Sequence, residues 1–135
     1  MTIVEFLEAR ISEDKALARS ASPGPWHVDA ESTEVLAVDG IVVADGFALS
    51  GPQTRATTAH IARHDSARVL AECEAKRRIV GLHESRPDWP DCQECGDRDY
   101  TKPWPCSTLR LLALPYADHP DYRPEWRTRA PEYQD

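Results

Sequence analysis

The chain has 135 residues, 41% hydrophobic and 29% charged, with a formal net charge of −7, 11 prolines and 4 cysteines. That length supports one domain, or one small core with an appendage. No apolar run approaches the ~20 residues of a spanning helix, the acidic N-terminal stretch lacks the cationic and apolar segments of a signal peptide, and the negative charge opposes non-specific nucleic-acid binding. A cytoplasmic protein with no membrane association is the expectation. Nucleic acid is not an expected partner, although a local basic patch is compatible with the charge.

Proline partitions the chain. Residues 1–22 contain none, and neither does the stretch Gln53–Arg86. Proline removes a helical donor and clashes with the preceding turn, so the proline-free stretches are the natural helices. The first is predicted over about Ile3–Arg19, opened by a Thr2/Glu5 capping box. Its apolar face carries Ile3, Phe6, Leu7, Ile11, Leu17 and Ala18, with Glu5, Glu8, Arg10, Glu13 and Lys15 toward water. Such a helix needs something to lie on.

Ser22-Pro-Gly-Pro-Trp26 breaks it. Short strands are predicted at Trp26–Val28, Glu34–Val38 and Ile41–Ala44, with Asp39-Gly40 as a type I′ hairpin turn. Phe47–Gln53 reads as a loop. A long helix follows over about Thr57–His83, with Asp65-Ser66 able to cap a new helix within it. A short helix over Ser107–Leu114 ends before Pro115. Residues 115–135 hold four prolines and almost no aliphatic side chains, which predicts a tail that builds no core.

The resulting fold class is α+β: a small antiparallel sheet at about 26–44, packed with the N-terminal helix and a long central helix. Residues 1–114 form the domain, including a cysteine loop at 84–106, and 115–135 form an extended Pro/aromatic tail.

The cysteine loop carries the most specific chemistry. Cys92-Gln-Glu-Cys95-Gly96 is a C-x2-C turn whose two thiolates can reach one tetrahedral ion. Cys106 lies downstream and His83 upstream, so Cys92, Cys95, Cys106 and His83 form a candidate Cys3His zinc site, with Asp91, Asp97 and Asp99 as alternative fourth ligands. A closed four-ligand set would be structural, since catalysis needs an open position. The competing readings are plain reduced thiols, a Cys92–Cys95 or Cys95–Cys106 disulfide, and a redox dithiol, the last weakened because the C-x2-C lies in an irregular Pro-rich loop and not between a strand and a helix. Cys73 falls on an apolar helix position, where cysteine acts as a small hydrophobe.

His60 and His64 share a helical face and Asp65 follows, which raises a metal-dependent hydrolase as a rival. No H-E-x-x-H pattern or distant ligand set completes it, and two surface histidines explain the pair. His119 sits in a candidate hydrogen-bonded turn, Asp118-His-Pro-Asp121. No nucleophile elbow, Cys-His pattern or phosphate loop is present, so no catalytic residue is assigned. Lys76-Arg77-Arg78 reads as a solvated helix face. In the tail Arg123, Arg127 and Arg129 interleave with Tyr122 and Trp126; this suits base stacking or a protein-binding tail. Asp118, Asp121, Glu125 and Glu132 favour the second.

Three segments carry a resemblance: Ser22-Pro-Gly-Pro-Trp26, then His60-Ile-Ala-Arg-His-Asp-Ser-Ala-Arg-Val-Leu-Ala-Glu72, then Leu109–Trp126 with its phrase Leu-Pro-Tyr-Ala-Asp-His-Pro-Asp-Tyr-Arg-Pro-Glu-Trp. The chain resembles an uncharacterised actinobacterial and actinophage small-protein family, domain of unknown function 6221. Residues 27–53 and the cysteine loop are its least similar parts, and Ser66 stands where the family carries proline. The resemblance implies a cytoplasmic accessory or host-interaction role and transfers no site residue. The expected function is a non-enzymatic interaction protein with a structural zinc, its protein partner met through 115–135.

Overall fold

The computed structural model describes residues 1–86, 89–92, 94–95 and 104–127. In chain order it comprises α1 (Ile3–Ser20), β1 (His27–Val28), β2 (Glu34–Leu36), β3 (Val42–Asp45), α2 (Gly51–Arg63), α3 (Ser66–Leu82), β4 (Ser85–Arg86), β5 (Trp89–Cys92) and α4 (Ser107–Ala113). Two 3-10 turns follow, at Leu114–Tyr116 and Pro124–Trp126. This is the expected α+β class. Contacts divide the chain into two compact units, Ser12–Glu74 and Met1–Ile11 with Ala75–Asp135; the boundary falls within α1 and α3.

In the unit Ser12–Glu74, the antiparallel sheet β1-β2-β3 lies against α2. Val35 and Ala37 are completely buried, two residues apart as strand periodicity requires. The β1–β2 connection is tied by Asp29, whose carboxylate accepts the Thr33 N–H at 2.8 Å and the Glu34 N–H at 3.0 Å. The Glu34 N–H first of all holds the Asp29 carboxyl below its ordinary value. A depressed carboxyl stabilises above its unfolded pKa and ceases to as it is protonated. This loop is therefore expected to lose amide protection on acidification below about pH 4, read by hydrogen exchange at Thr33 and Glu34.

The β2–β3 turn differs from the expected type I′. Only Gly40 has positive φ, at 81°, and its N–H donates to Ala37 O at 2.9 Å. Asp39 stays outside the left-handed region, which makes a type I turn closed by a left-handed glycine, the three-residue hairpin solution. A bulge between Val35 and Leu36 shifts the register further along.

Two helical boundaries are corrected. α2 begins at Gly51, inside the expected loop, because Ser50 and Gln53 form a capping box and Pro52 occupies the first turn. The long central helix is two helices. Its break at His64-Asp65 is held by one local and two tertiary bonds: Asp65 caps α3 by accepting the Arg68 N–H at 2.8 Å and also accepts the distant Trp26 N–H at 2.9 Å, while the Ser66 hydroxyl donates to Ser22 O at 2.8 Å. Gly24 approaches so closely that a Cβ there would stand 2.6 Å from the Ala67 Cβ. Asp65→Ala strips a helix cap and orphans a second N–H. A loss of about 1–3 kcal/mol is expected, seen as a lower denaturant midpoint at unchanged slope.

The α1 cap is as expected, with Thr2 N–H to Glu5 Oε2 at 2.7 Å and Glu5 N–H to Thr2 Oγ1 at 3.2 Å. The same Thr2 N–H holds the Glu5 carboxyl low. Leu17, assigned to the apolar face, is 74% exposed, although it follows the buried Ile3 and Arg10 at heptad spacing.

In the other unit, Ile3, Phe6, Leu7 and Ile11 are buried. Arg10, expected in water, is buried as well; its guanidinium lies 5.3 Å from the Phe6 ring centroid and Nη1 is 2.7 Å from His119 Nδ1. The Phe6 ring meets Trp126 at 5.1 Å, His119 at 5.7 Å, Tyr122 at 5.9 Å and Tyr116 at 6.3 Å. The expectation that the tail builds no core is thus corrected at Tyr122 and Trp126, both buried. Few aromatics suffice, since each buries roughly 150–250 Å². A turn closes at His119–Tyr122, one residue beyond the anticipated Asp118–Asp121, with Tyr122 N–H donating to His119 O at 2.9 Å, while Asp121 N–H reaches His119 Nδ1 at 3.1 Å. Arg129 and Glu132 lie outside the described residues.

Candidate metal centre

The four predicted ligands come from four different places. His83 follows the last residue of α3, where its N–H still reaches Val80 O at 3.1 Å. Cys92 closes β5, Cys95 sits in the turn beyond it, and Cys106 is the N-cap of α4. β4 and β5 pair antiparallel, Ser85 opposite Cys92, which returns the chain from His83 to the C-x2-C turn. α4 buries Leu109 and Ala113, and Arg110 grips Pro105 O at 2.8 Å and Glu125 O at 2.9 Å. The backbone presenting Cys106 is thereby anchored.

These side chains converge. One ligand atom from each lies within 4.8 Å of all the others. His83 Nδ1 stands 3.2 Å from Cys92 Sγ, 3.3 Å from Cys95 Sγ and 3.6 Å from Cys106 Sγ. A ring nitrogen offers one N–H or one lone pair, so hydrogen bonding cannot account for three sulfurs around it. A tetrahedral ion can. With Zn–S of about 2.3 Å and Zn–N of about 2.0–2.1 Å, the nitrogen–sulfur edge is about 3.5 Å.

The cluster has polar support around it. Cys95 N–H donates to Cys92 Sγ at 3.3 Å, an interaction that stabilises thiolate charge. Thr108 Oγ1 lies 3.9 Å from Cys95 Sγ, and Trp104 Nε1 donates to His83 O at 3.4 Å. Burial, together with the neighbouring Cys92 and Cys95 thiols, pushes the Cys106 thiol up to about 11, against the opposing Leu109 N–H. A cation coordinated by Cys106 would offset that cost of ionising it. Cys92 is 5% exposed and His83 9%, whereas Cys95 is open to solvent. No disulfide joins any of the four cysteines.

The other candidates fare differently. Among the described residues, metal-ligating side chains converge in groups of three or more only at this cluster. The His60 and His64 ring centroids lie 4.4 Å apart with the rings tilted by 40°, but His64 Nδ1 donates to His60 O at 2.8 Å and Asp65 is spent on backbone N–H groups. Asp97 and Asp99 lie outside the described residues. Cys73 is 3% exposed within α3, as its apolar position predicted. Arg77 and Arg78 are exposed. Sequence reasoning missed Trp104 and Thr108 as supports of the cluster; only their side-chain directions reveal them.

Among the described residues no helix is long and apolar enough to cross a membrane. No curated protein and no solved structure matches the chain. The model of the family of unknown function DUF6221 matches residues 1–128, nearly the whole length, and the chain belongs to that family.

Proposed function

We propose that the chain is a non-enzymatic interaction protein in which His83, Cys92, Cys95 and Cys106 hold one structural zinc ion. The observation that carries this reading is the placement of three sulfurs at 3.2–3.6 Å from one imidazole nitrogen. All four positions of a tetrahedral ion are then filled by protein, leaving none for a substrate or an activated water. Zinc suits three thiolates and an imidazole better than the hard, oxygen-seeking cations do.

The ion does structural work that the local sequence cannot. It ties the end of α3, the β4–β5 hairpin and the start of α4 across a stretch poor in aliphatic side chains. The product is a stiff platform beside the 114–127 segment. A protein partner is proposed to read the outward charges of that segment, Arg123, Glu125 and Arg127, which are exposed while Tyr122 and Trp126 face in.

Elemental analysis of purified full chain tests the zinc reading. One zinc per chain is expected, and its removal by a chelator should lower the melting temperature by well over 10 °C, given ~4–8 °C per kcal/mol for small domains. A metal-free chain that melts identically with and without chelator refutes it. For the partner, charge reversal at Arg123 and Arg127 is preferable to truncation, because removing Tyr122 and Trp126 also removes core. Loss of a partner captured by the unaltered chain supports the surface; unchanged capture rejects it.

A further inference from the structure

The four ligands are not equally sheltered, and we propose that this makes the centre a peroxide-sensitive release site in which Cys95 is attacked first and Cys92 resolves it. The proposal rests on the zinc reading above. Cys95 is exposed, Cys106 half-buried, and Cys92 and His83 are covered. Oxidation of a cysteine follows thiolate character and access together. Zinc supplies the first to all three sulfurs alike, so access decides, and it selects Cys95.

The second step follows from the turn. Cys92 is three residues from Cys95, and the Cys95 N–H already rests on Cys92 Sγ at 3.3 Å, which keeps that sulfur beside the Cys95 backbone. Both sulfurs lie within the 4.8 Å cluster. Cys106 belongs to a different element, fixed by the buried face of α4.

The chemistry balances with hydrogen peroxide as oxidant. The Cys95 thiolate attacks one peroxide oxygen, the O–O bond breaks, and the departing hydroxide takes a proton to become water. Cys95 is then a sulfenic acid. The Cys92 thiolate attacks its sulfur, the S–O bond breaks, and a second hydroxide leaves and is protonated. Two thiolates have lost two electrons to form one S–S bond, and one peroxide has become two waters. Zinc keeps only His83 and Cys106, half its ligand set, and dissociates. A dithiol reductant and fresh zinc reverse the change.

The test uses full chain loaded with zinc and shown to carry one ion; failure to load ends the zinc reading before peroxide is added. Loaded chain is then treated with stoichiometric hydrogen peroxide while a chromophoric chelator reports released zinc and peptide mass mapping locates disulfides. One zinc released per Cys92–Cys95 disulfide is expected, restored by dithiol and zinc. Cys73→Ser, a substitution outside the cluster, should release zinc at the unaltered rate. Cys95→His, which replaces the exposed thiolate with an imidazole ligand, should slow release at least ~10-fold. Oxidation that leaves zinc bound, or a disulfide mapped to Cys106, overturns the proposal. The mapping in unaltered chain decides even if the histidine variant loads poorly.

Discussion

Cys92→Ser is expected to yield a chain that takes up no zinc and melts well over 10 °C lower, as the chelated chain does. Serine has nearly the same shape, but its hydroxyl is a hard, neutral oxygen in place of a soft thiolate, so the change is one of ligand chemistry. Cys92 is the most buried of the three cysteine ligands, and it accepts the Cys95 N–H. Losing it undoes the C-x2-C turn and removes one of the four ligands proposed for zinc. Structural zinc contributes on the order of 10 kcal/mol in small zinc-folded units, comparable to the whole 5–15 kcal/mol stability of a typical domain. Near-UV circular dichroism through a melt, with zinc measured on the same sample, checks this. A zinc-free variant with an unaltered melt would show that the cluster is not what holds this region together. Cys73→Ser is the control: it buries a hydroxyl at a cost of about 1–3 kcal/mol and leaves zinc content unchanged.

Phe6→Ala is expected to be the most damaging substitution away from the metal. The Phe6 side chain has no exposure and stands among the rings of Tyr116, His119, Tyr122 and Trp126. Truncation removes all four contacts at once and also the face on which Arg10 lies. A loss of about 3–5 kcal/mol is expected from the cavity alone. The variant should also release 115–127, so limited proteolysis should cut there at least ~100-fold faster, as the open population rises with the lost free energy. Trp126→Ala should reproduce the proteolysis with a smaller loss of stability. A Phe6→Ala chain as resistant as the unaltered one would mean that the segment is held by Arg110 and the 3-10 turns instead.

Much of the local structure was legible because it rests on local chemistry. The Thr2/Glu5 cap, the helix over α1, three strands within 26–45 and the α4 start beyond Cys106 each follow from a few neighbouring residues. Where neighbours had distant competition, the reading slipped. Asp65 looked like an optional cap within one long helix, and the bond from the Trp26 N–H is what commits it to a break. Gly40 needs positive φ, but whether Asp39 shares it is decided by the bulged pairing of β2 with β3.

The eleven prolines and the spacing of Cys92, Cys95, Cys106 and His83 belong to the sequence alone. They bounded the helical stretches of α1, of α2 with α3, and of α4, and determined which four side chains had the chemistry and reach to share one ion. Only the tertiary structure decided that they meet at 3.2–3.6 Å about a single nitrogen, since convergence depends on hairpin pairing and on the buried face of α4. Only it decided that Tyr122 and Trp126, in that aliphatic-poor tail, are core. A tail with two inward rings and a tail with none have the same composition, and what separates them is Phe6, more than a hundred residues away along the chain.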